Sequence, residues 1–312
     1  MNGAEALVRT LLASKVTTCF SNPGTSEMHF VAALDRVPGM HCVLCLFEGV
    51  ATGAADGYGR MAGRPAITLL HGGPGLANGL ANLHNARRAR SPIVNIVGDQ
   101  ASYHRPLDPP LTADTEGWAR GLSAWTRTVN GVATIGQDAA AAVQAARTAH
   151  GQIAILIAPA DTCWDEGATV GEALPVSPAG KVAAHVVRQV AEVLRSNEPA
   201  TIILGGSPLR AETIVDAYRI ASATGAKVVA AQFNARVERA RTPSHSSASI
   251  RHRSGGGHLG GCETRRSGRN RAASGTLRTS RQTGPSGPER QQSACAGAPG
   301  AGCRRCPGAA RG

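Results

Sequence analysis

The chain has 312 residues, a formal net charge of +12 at pH 7, 42% apolar residues and 3% aromatic ones. The charge is not spread evenly: residues 240–312 carry 13 arginines against Glu263 and Glu289, a net of +11, which leaves +1 for residues 1–239. The front therefore makes no electrostatic case for a nucleic-acid-binding domain. No apolar run reaches the roughly 18 residues of a membrane span, and no signal-peptide pattern opens the chain, so the expectation is a cytoplasmic, reduced protein with no membrane contact.

In chain order, helical spacing predicts a helix over 4–13 and a strand over 16–20. Asn22-Pro23-Gly24 is a turn, after which Thr25 or Ser26 is expected to cap a helix to about 35, with Glu27 in its first turn. Pro38-Gly39 breaks the chain before a buried strand at 42–47. A helix then opens at Glu48, the only charged side chain between His41 and Asp56, with Gly49, Gly53 and Gly57 on one face where something large can lie close to the backbone. Glycine and proline at 63–65 precede a strand at 66–70, Gly72-Gly73-Pro74-Gly75 precedes a helix to about 88, and 93–97 is the next strand. Prolines at 106, 109 and 110 deny regular structure to much of 100–130, with a short helix about 118–125. A helix at 137–149 and a strand at 153–157 close the first unit. After a polar linker, helix 182–195, strand 201–204, helix 211–223 and strand 226–231 begin a second one. Alternating strands and helices imply a doubly wound parallel sheet, followed by an incomplete second α/β domain.

Four stretches, in order, carry a resemblance. They are Ser21-Asn22-Pro23-Gly24-Thr25-Ser26-Glu27; Glu48 with its small-residue helix ending Gly57-Tyr58-Gly59-Arg60; Leu70-His71-Gly72-Gly73-Pro74-Gly75-Leu76-Ala77-Asn78-Gly79; and Pro92-Ile93-Val94-Asn95-Ile96-Val97-Gly98-Asp99. Together they resemble the pyrimidine-binding domain of thiamine diphosphate enzymes, most of all the acetolactate synthase and benzoylformate decarboxylase branches. The likeness is close over about 1–160 and looser to about 239.

The resemblance implies thiamine diphosphate as cofactor and a 2-oxo acid as substrate, for decarboxylation or carboligation. It gives Glu48 the role of the carboxyl that bonds N1′ of the pyrimidine. It makes Thr25 and His71 candidate substrate-contacting catalytic groups. Pro23, Gly24, Gly72, Gly73 and Asn78 join Glu48 as candidate cofactor-binding residues. The family holds magnesium and the diphosphate through a Gly-Asp-Gly and a later asparagine in a C-terminal domain. No Gly-Asp-Gly occurs here, so no metal ligand is assigned. FAD is compatible with the likeness but is carried by no residue. A homodimer or a full-length partner subunit is expected to complete the site.

The expected domains are 1–164, the linker 165–181, a partial middle domain 182–239 and an Arg/Gly/Ser-rich disordered basic tail 240–312. That tail has no lysine and no aromatic residue, and only Ile250, Leu259 and Leu277 as large aliphatics. It buries too little to offset its chain entropy. Its composition is that of a GC-rich gene read in a shifted frame, which would make the chain a truncated enzyme, inactive alone. The alternative is a non-enzymatic α/β module with an arginine-rich nucleic-acid-binding arm. Cys42 and Cys45, three apart on a strand, point to opposite faces and make a poor metal pair.

Overall fold

The computed structural model describes residues 1–206 and 209–238, and the backbone at 251–252, 264–265 and 280–281. Six parallel strands form the main sheet: β1 (Thr18–Asn22), β2 (His41–Leu44), β3 (Ala66–Leu70), β4 (Ile93–Asp99), β5 (Trp125–Thr128) and β6 (Ile153–Pro159), in the order β2-β1-β3-β4-β6-β5. β3, β4 and β6 are buried at every residue, as the continuous apolar runs of central parallel strands require.

Helices cover both faces. On one side α1 (Gly3–Ala13), α2 (Met28–Arg36) and α6 (Ile135–Arg147) close a core built on Leu7, Leu11, Phe30, Ile67, Ile96 and Ile135. On the other, α3 (Glu48–Ala62), α4 (Gly72–Ala89) and α5 (Thr115–Arg120) enclose Leu70, Leu76, Leu83, Ile93 and Ile155. Burying each such side chain contributes about 1.5–3 kcal/mol. The ends of the helices follow local chemistry: the Asn2 side chain accepts from the Glu5 amide at 2.9 Å to cap α1, and Gly63, at φ +65°, ends α3 in the left-handed region that glycine enters freely.

A second, three-stranded sheet contains β7 (Thr201–Leu204) and β8 (Lys227–Ala230), paired in parallel, with α7 (Ala184–Leu194) and α8 (Ala211–Thr224) before and between them. Arg251–His252 adds to β8, and Thr264–Arg265 pairs antiparallel with Ser280–Arg281. The expectations of disorder and of a shifted frame for the rest of 240–312 lie outside the described residues.

Several expected elements differ. The strand placed at 42–47 stops at Leu44, and as the edge of the sheet it is largely exposed, where a buried strand was expected. Residues 45–47 form a loop that lets Glu48 turn inward. The helix placed at 118–125 lies at Thr115–Arg120, and Trp125 instead begins β5, whose β-branched threonines suit a strand alongside β6. Neither Thr25 nor Ser26 caps a helix: a single 3₁₀ turn, Thr25–Glu27, precedes α2, and the Glu27 carboxylate accepts from the Gly24 amide at 2.7 Å. The glycine face of α3 is only partly used. Asn82 of α4 donates to the Gly49 carbonyl at 2.6 Å and faces Gly53, whereas Gly57 has open space beside it.

Candidate active site

In the strand order the chain runs from β1 outward to β2, then returns across to β3 and β4, so its direction reverses between β1 and β3. Crevices at the carboxyl ends of strands flanking such a reversal are where doubly wound sheets bind ligands. Asn22 and Leu70 are register partners at those two ends. The turns that follow, Pro23-Gly24 and His71-Gly72, are therefore neighbours. A Cβ built on Gly24 would fall 2.3 Å from the His71 ring, so only glycine allows the two turns to meet.

Glu27 ties this junction together. Its side chain is 1% exposed, and Oε2 accepts from the Gly24 amide at 2.7 Å while standing 2.8 Å from Nδ1 of His71. Oε1 accepts from the Gly72 amide at 3.3 Å. A carboxylate at Nδ1 selects the tautomer with the proton there and leaves Nε2 as the free nitrogen of a ring that is 25% exposed. Gly98 at the end of β4 makes room, since a Cβ there would fall 1.7 Å from Glu27 Oε1. Gly72 adopts φ +57°, a conformation that side chains resist.

Glu48 reaches the same edge from the start of α3 and is 7% exposed as a residue. Asn78 Nδ2 of α4 donates to its Oε2 at 2.9 Å. Oε1 has no hydrogen-bond partner among the described residues, and a Cβ on Gly75 would fall 2.8 Å from it. The two helices can approach this closely because small groups meet: a Cβ on Gly79 would lie 2.7 Å from Thr52 Cγ2. The Gly57-Tyr58-Gly59-Arg60 segment serves the frame. Arg60 grips Asp56 with two bonds of 2.8 and 2.7 Å, Ser91 donates to Asp56 at 2.5 Å, and the Tyr58 ring meets Phe20 edge-on at 6.3 Å.

Of the residues singled out in the sequence, Glu48 and Asn78 are brought together by a direct bond, and Gly24, His71 and Gly72 by Glu27. Pro23 is half-buried in the same turn. Thr25 is exposed on the 3₁₀ turn, its hydroxyl unbonded among the described residues. Gly73 faces away, its Cβ position 2.5 Å from the Ala113 side chain and near Trp118. Glu27 is the residue that sequence reasoning passed over, read there only as a first-turn acid. Its spacing from Gly24 is the usable signal, because a glutamate three residues past a helix-start residue commonly bonds back to that residue's amide. Among the described residues no group of three or more His, Cys, Asp or Glu is arranged to hold a metal ion. No described helix is long and apolar enough to cross a membrane.

Residues 1–119 match the family model described as thiamine pyrophosphate enzyme, N-terminal TPP binding domain. The chain carries that domain, and it is similar to proteins named acetolactate synthase large subunit and benzoylformate decarboxylase. Over 240 residues it is 55% identical to the "Putative acetolactate synthase large subunit IlvX" of Mycobacterium tuberculosis, a match covering 77% of this chain and 46% of that protein. A benzoylformate decarboxylase of Pseudomonas aeruginosa is 29% identical over 195 residues, covering 61% of this chain and 36% of the relative. The solved 4-hydroxybenzoylformate decarboxylase of Rhodococcus jostii RHA1 superposes with a TM-score of 0.67 over 74% of this chain and 44% of that one, a likeness of fold at 23% identity. The chain spans about half the length, or less, of the curated relatives it matches.

Proposed function

We propose that this chain is the pyrimidine-binding part of a thiamine diphosphate-dependent enzyme that decarboxylates or ligates 2-oxo acids, with Glu48 as the carboxyl that bonds N1′ of the cofactor. The observation that carries the reading is the buried Glu48 carboxylate at the reversal of the sheet. Asn78 orients it through one oxygen, and its other oxygen lies over a glycine. A carboxyl so placed can share a proton with a ring nitrogen in a site with little water. When bound, the cofactor supplies the nucleophilic carbon and the electron sink, and the protein supplies placement and electrostatics. His71, held by Glu27 with Nε2 free, is the group set to move a proton near a substrate, and the exposed Thr25 hydroxyl is a donor for a substrate carboxylate.

In this reading residues 1–164 form the pyrimidine domain, 165–181 a linker and 182–239 part of a middle domain. The diphosphate and its magnesium are held by a domain whose Gly-Asp-Gly motif this sequence lacks. The chain alone is then inactive, and a partner subunit completes the site. Charge-assisted bonds to phosphate contribute about 1.5–3 kcal/mol each, and every 1.4 kcal/mol is about tenfold in affinity. Calorimetry of the purified chain with thiamine diphosphate and magnesium is the test. Binding weaker than micromolar is expected, and tight binding by the isolated chain would mean that the cofactor site lies elsewhere.

A further inference from the structure

Three cysteines lie where β1 meets the exposed edge strand. Cys19 of β1 is fully buried, Cys42 of β2 is exposed, and Cys45 is buried just past the end of β2. Cys19 and Cys42 are register partners in the parallel pair, so their side chains leave the same face of the sheet. Adjacent strands lie about 4.8 Å apart, within the Cα separation of about 4.4–6.8 Å that a disulfide spans.

We propose that Cys42 is an oxidation site for hydrogen peroxide and that Cys19 resolves it, closing a reversible disulfide between β1 and β2. The chemistry balances without further reagents. The Cys42 thiolate attacks one peroxide oxygen, the O–O bond breaks, hydroxide leaves and Cys42 becomes a sulfenic acid. The Cys19 sulfur then attacks the Cys42 sulfur, the S–O bond breaks, and the Cys19 proton leaves with the oxygen as water. The two thiols give up two electrons, and one peroxide becomes two waters.

The surroundings favour this division of roles. A hydrogen bond from the Cys19 thiol holds Cys42 below the usual thiol range, against an opposing push from its partial burial. The Ser21 hydroxyl, 3.2 Å from Cys42 Sγ, and His41 favour the thiolate further. The same bond, together with burial, holds Cys19 well above that range, so it keeps its proton until it attacks. Cys45 is the rival resolving thiol, but its Sγ is turned to the Val43 carbonyl of β2 at 3.8 Å. An edge strand has a neighbour on one side only, so β2 is free to make the small approach a covalent bond needs.

The test treats the full chain with a slight excess of hydrogen peroxide and maps non-reduced peptides by mass spectrometry. A Cys19–Cys42 cross-link that dithiothreitol reverses is expected. Cys42→Ser should lose it. Cys19→Ser should leave Cys42 as a sulfenic acid that dimedone traps. Joining of Cys42 to Cys45 or to a cysteine beyond residue 240 would overturn the proposal. So would peroxide oxidation of Cys42 that leaves Cys19 reduced in the wild-type chain. These readouts involve no cofactor, so their failure is distinct from failure of the thiamine diphosphate reading.

Discussion

Glu27 Oε2 stands 2.8 Å from Nδ1 of His71, a bond that ties the turn after β1 to the turn after β3. The same buried carboxylate accepts the amides of Gly24 and Gly72. Three donors converge on it, so Glu27→Gln places an amide N–H against a donor and removes a charge from the strongest kind of hydrogen bond. Urea unfolding should show a loss of about 1–3 kcal/mol. His71→Ala, which removes one donor from a ring that is part-exposed, should lose less. Equal losses would mean that the amide bonds contribute nothing.

Two glycines of α3 should respond in opposite directions to alanine. Gly57 has open space where a Cβ would go, and alanine in a helix interior is favoured over glycine by about 1 kcal/mol, so Gly57→Ala should raise the melting temperature. At Gly59 the Cβ would fall 2.9 Å from the Pro92 carbonyl oxygen, a backbone atom that cannot swing aside. Gly59→Ala should therefore destabilise, by about 1–3 kcal/mol for an overpacked site. Paired thermal melts check both signs.

Asp99 ends β4 with its carboxyl pushed above the usual range by burial, against a lowering bond from the Gln100 amide and the nearby Arg105. Arg105 Nη1 is 3.1 Å from Oδ2 but off the line of a hydrogen bond, so that oxygen is unsatisfied among the described residues. A carboxyl whose folded pKa is raised stabilises the fold at pH below its unfolded value, near 4, and that contribution is lost as pH rises through the folded value. Asp99→Asn should thus gain stability relative to wild type as pH rises across that window. Denaturant unfolding from pH 3 to pH 7 reads the trend, and an unchanged difference would contradict it.

Thiol reactivity should follow the same electrostatics. Cys42 is held down to about 6 by the hydrogen bond from Cys19, whereas burial pushes Cys163 up to about 12. Iodoacetamide should modify Cys42 before Cys19, Cys45 and Cys163, with a rate that persists at pH 7 and falls only below about 6. Peptide mapping of a timed alkylation series gives the order directly.

The parallel sheet was legible because β3, β4 and β6 are apolar runs bounded by glycine and proline, and buried central strands leave no other option. Glu48 stood out as a lone carboxylate between an apolar segment and a small-residue helix, but the residues alone read equally as a helix-start charge, and only the resemblance suggested a role for it. The exposure of β2 was not, because an apolar run reads the same at the edge of a sheet as in its middle until its neighbours are known. Trp125 was taken for helix because a four-residue strand shows too few alternations to count. Glu27 escaped because its partners, His71 and Gly98, lie 44 and 71 positions away in the chain, and only the meeting of β1, β3 and β4 makes it a junction.

As proposed above, Glu48 activates a cofactor whose diphosphate is held by another subunit. The direct measurement is complementation: the chain is mixed with a full-length thiamine diphosphate decarboxylase whose own activating glutamate has been replaced, and 2-oxo acid decarboxylation is followed with cofactor and magnesium present. Native mass spectrometry of the mixture confirms that mixed complexes form. Activity returning with the wild-type chain and not with Glu48→Gln is the predicted result. Equal restoration by Glu48→Gln, or none by the wild-type chain within a formed complex, would rule out that role for Glu48.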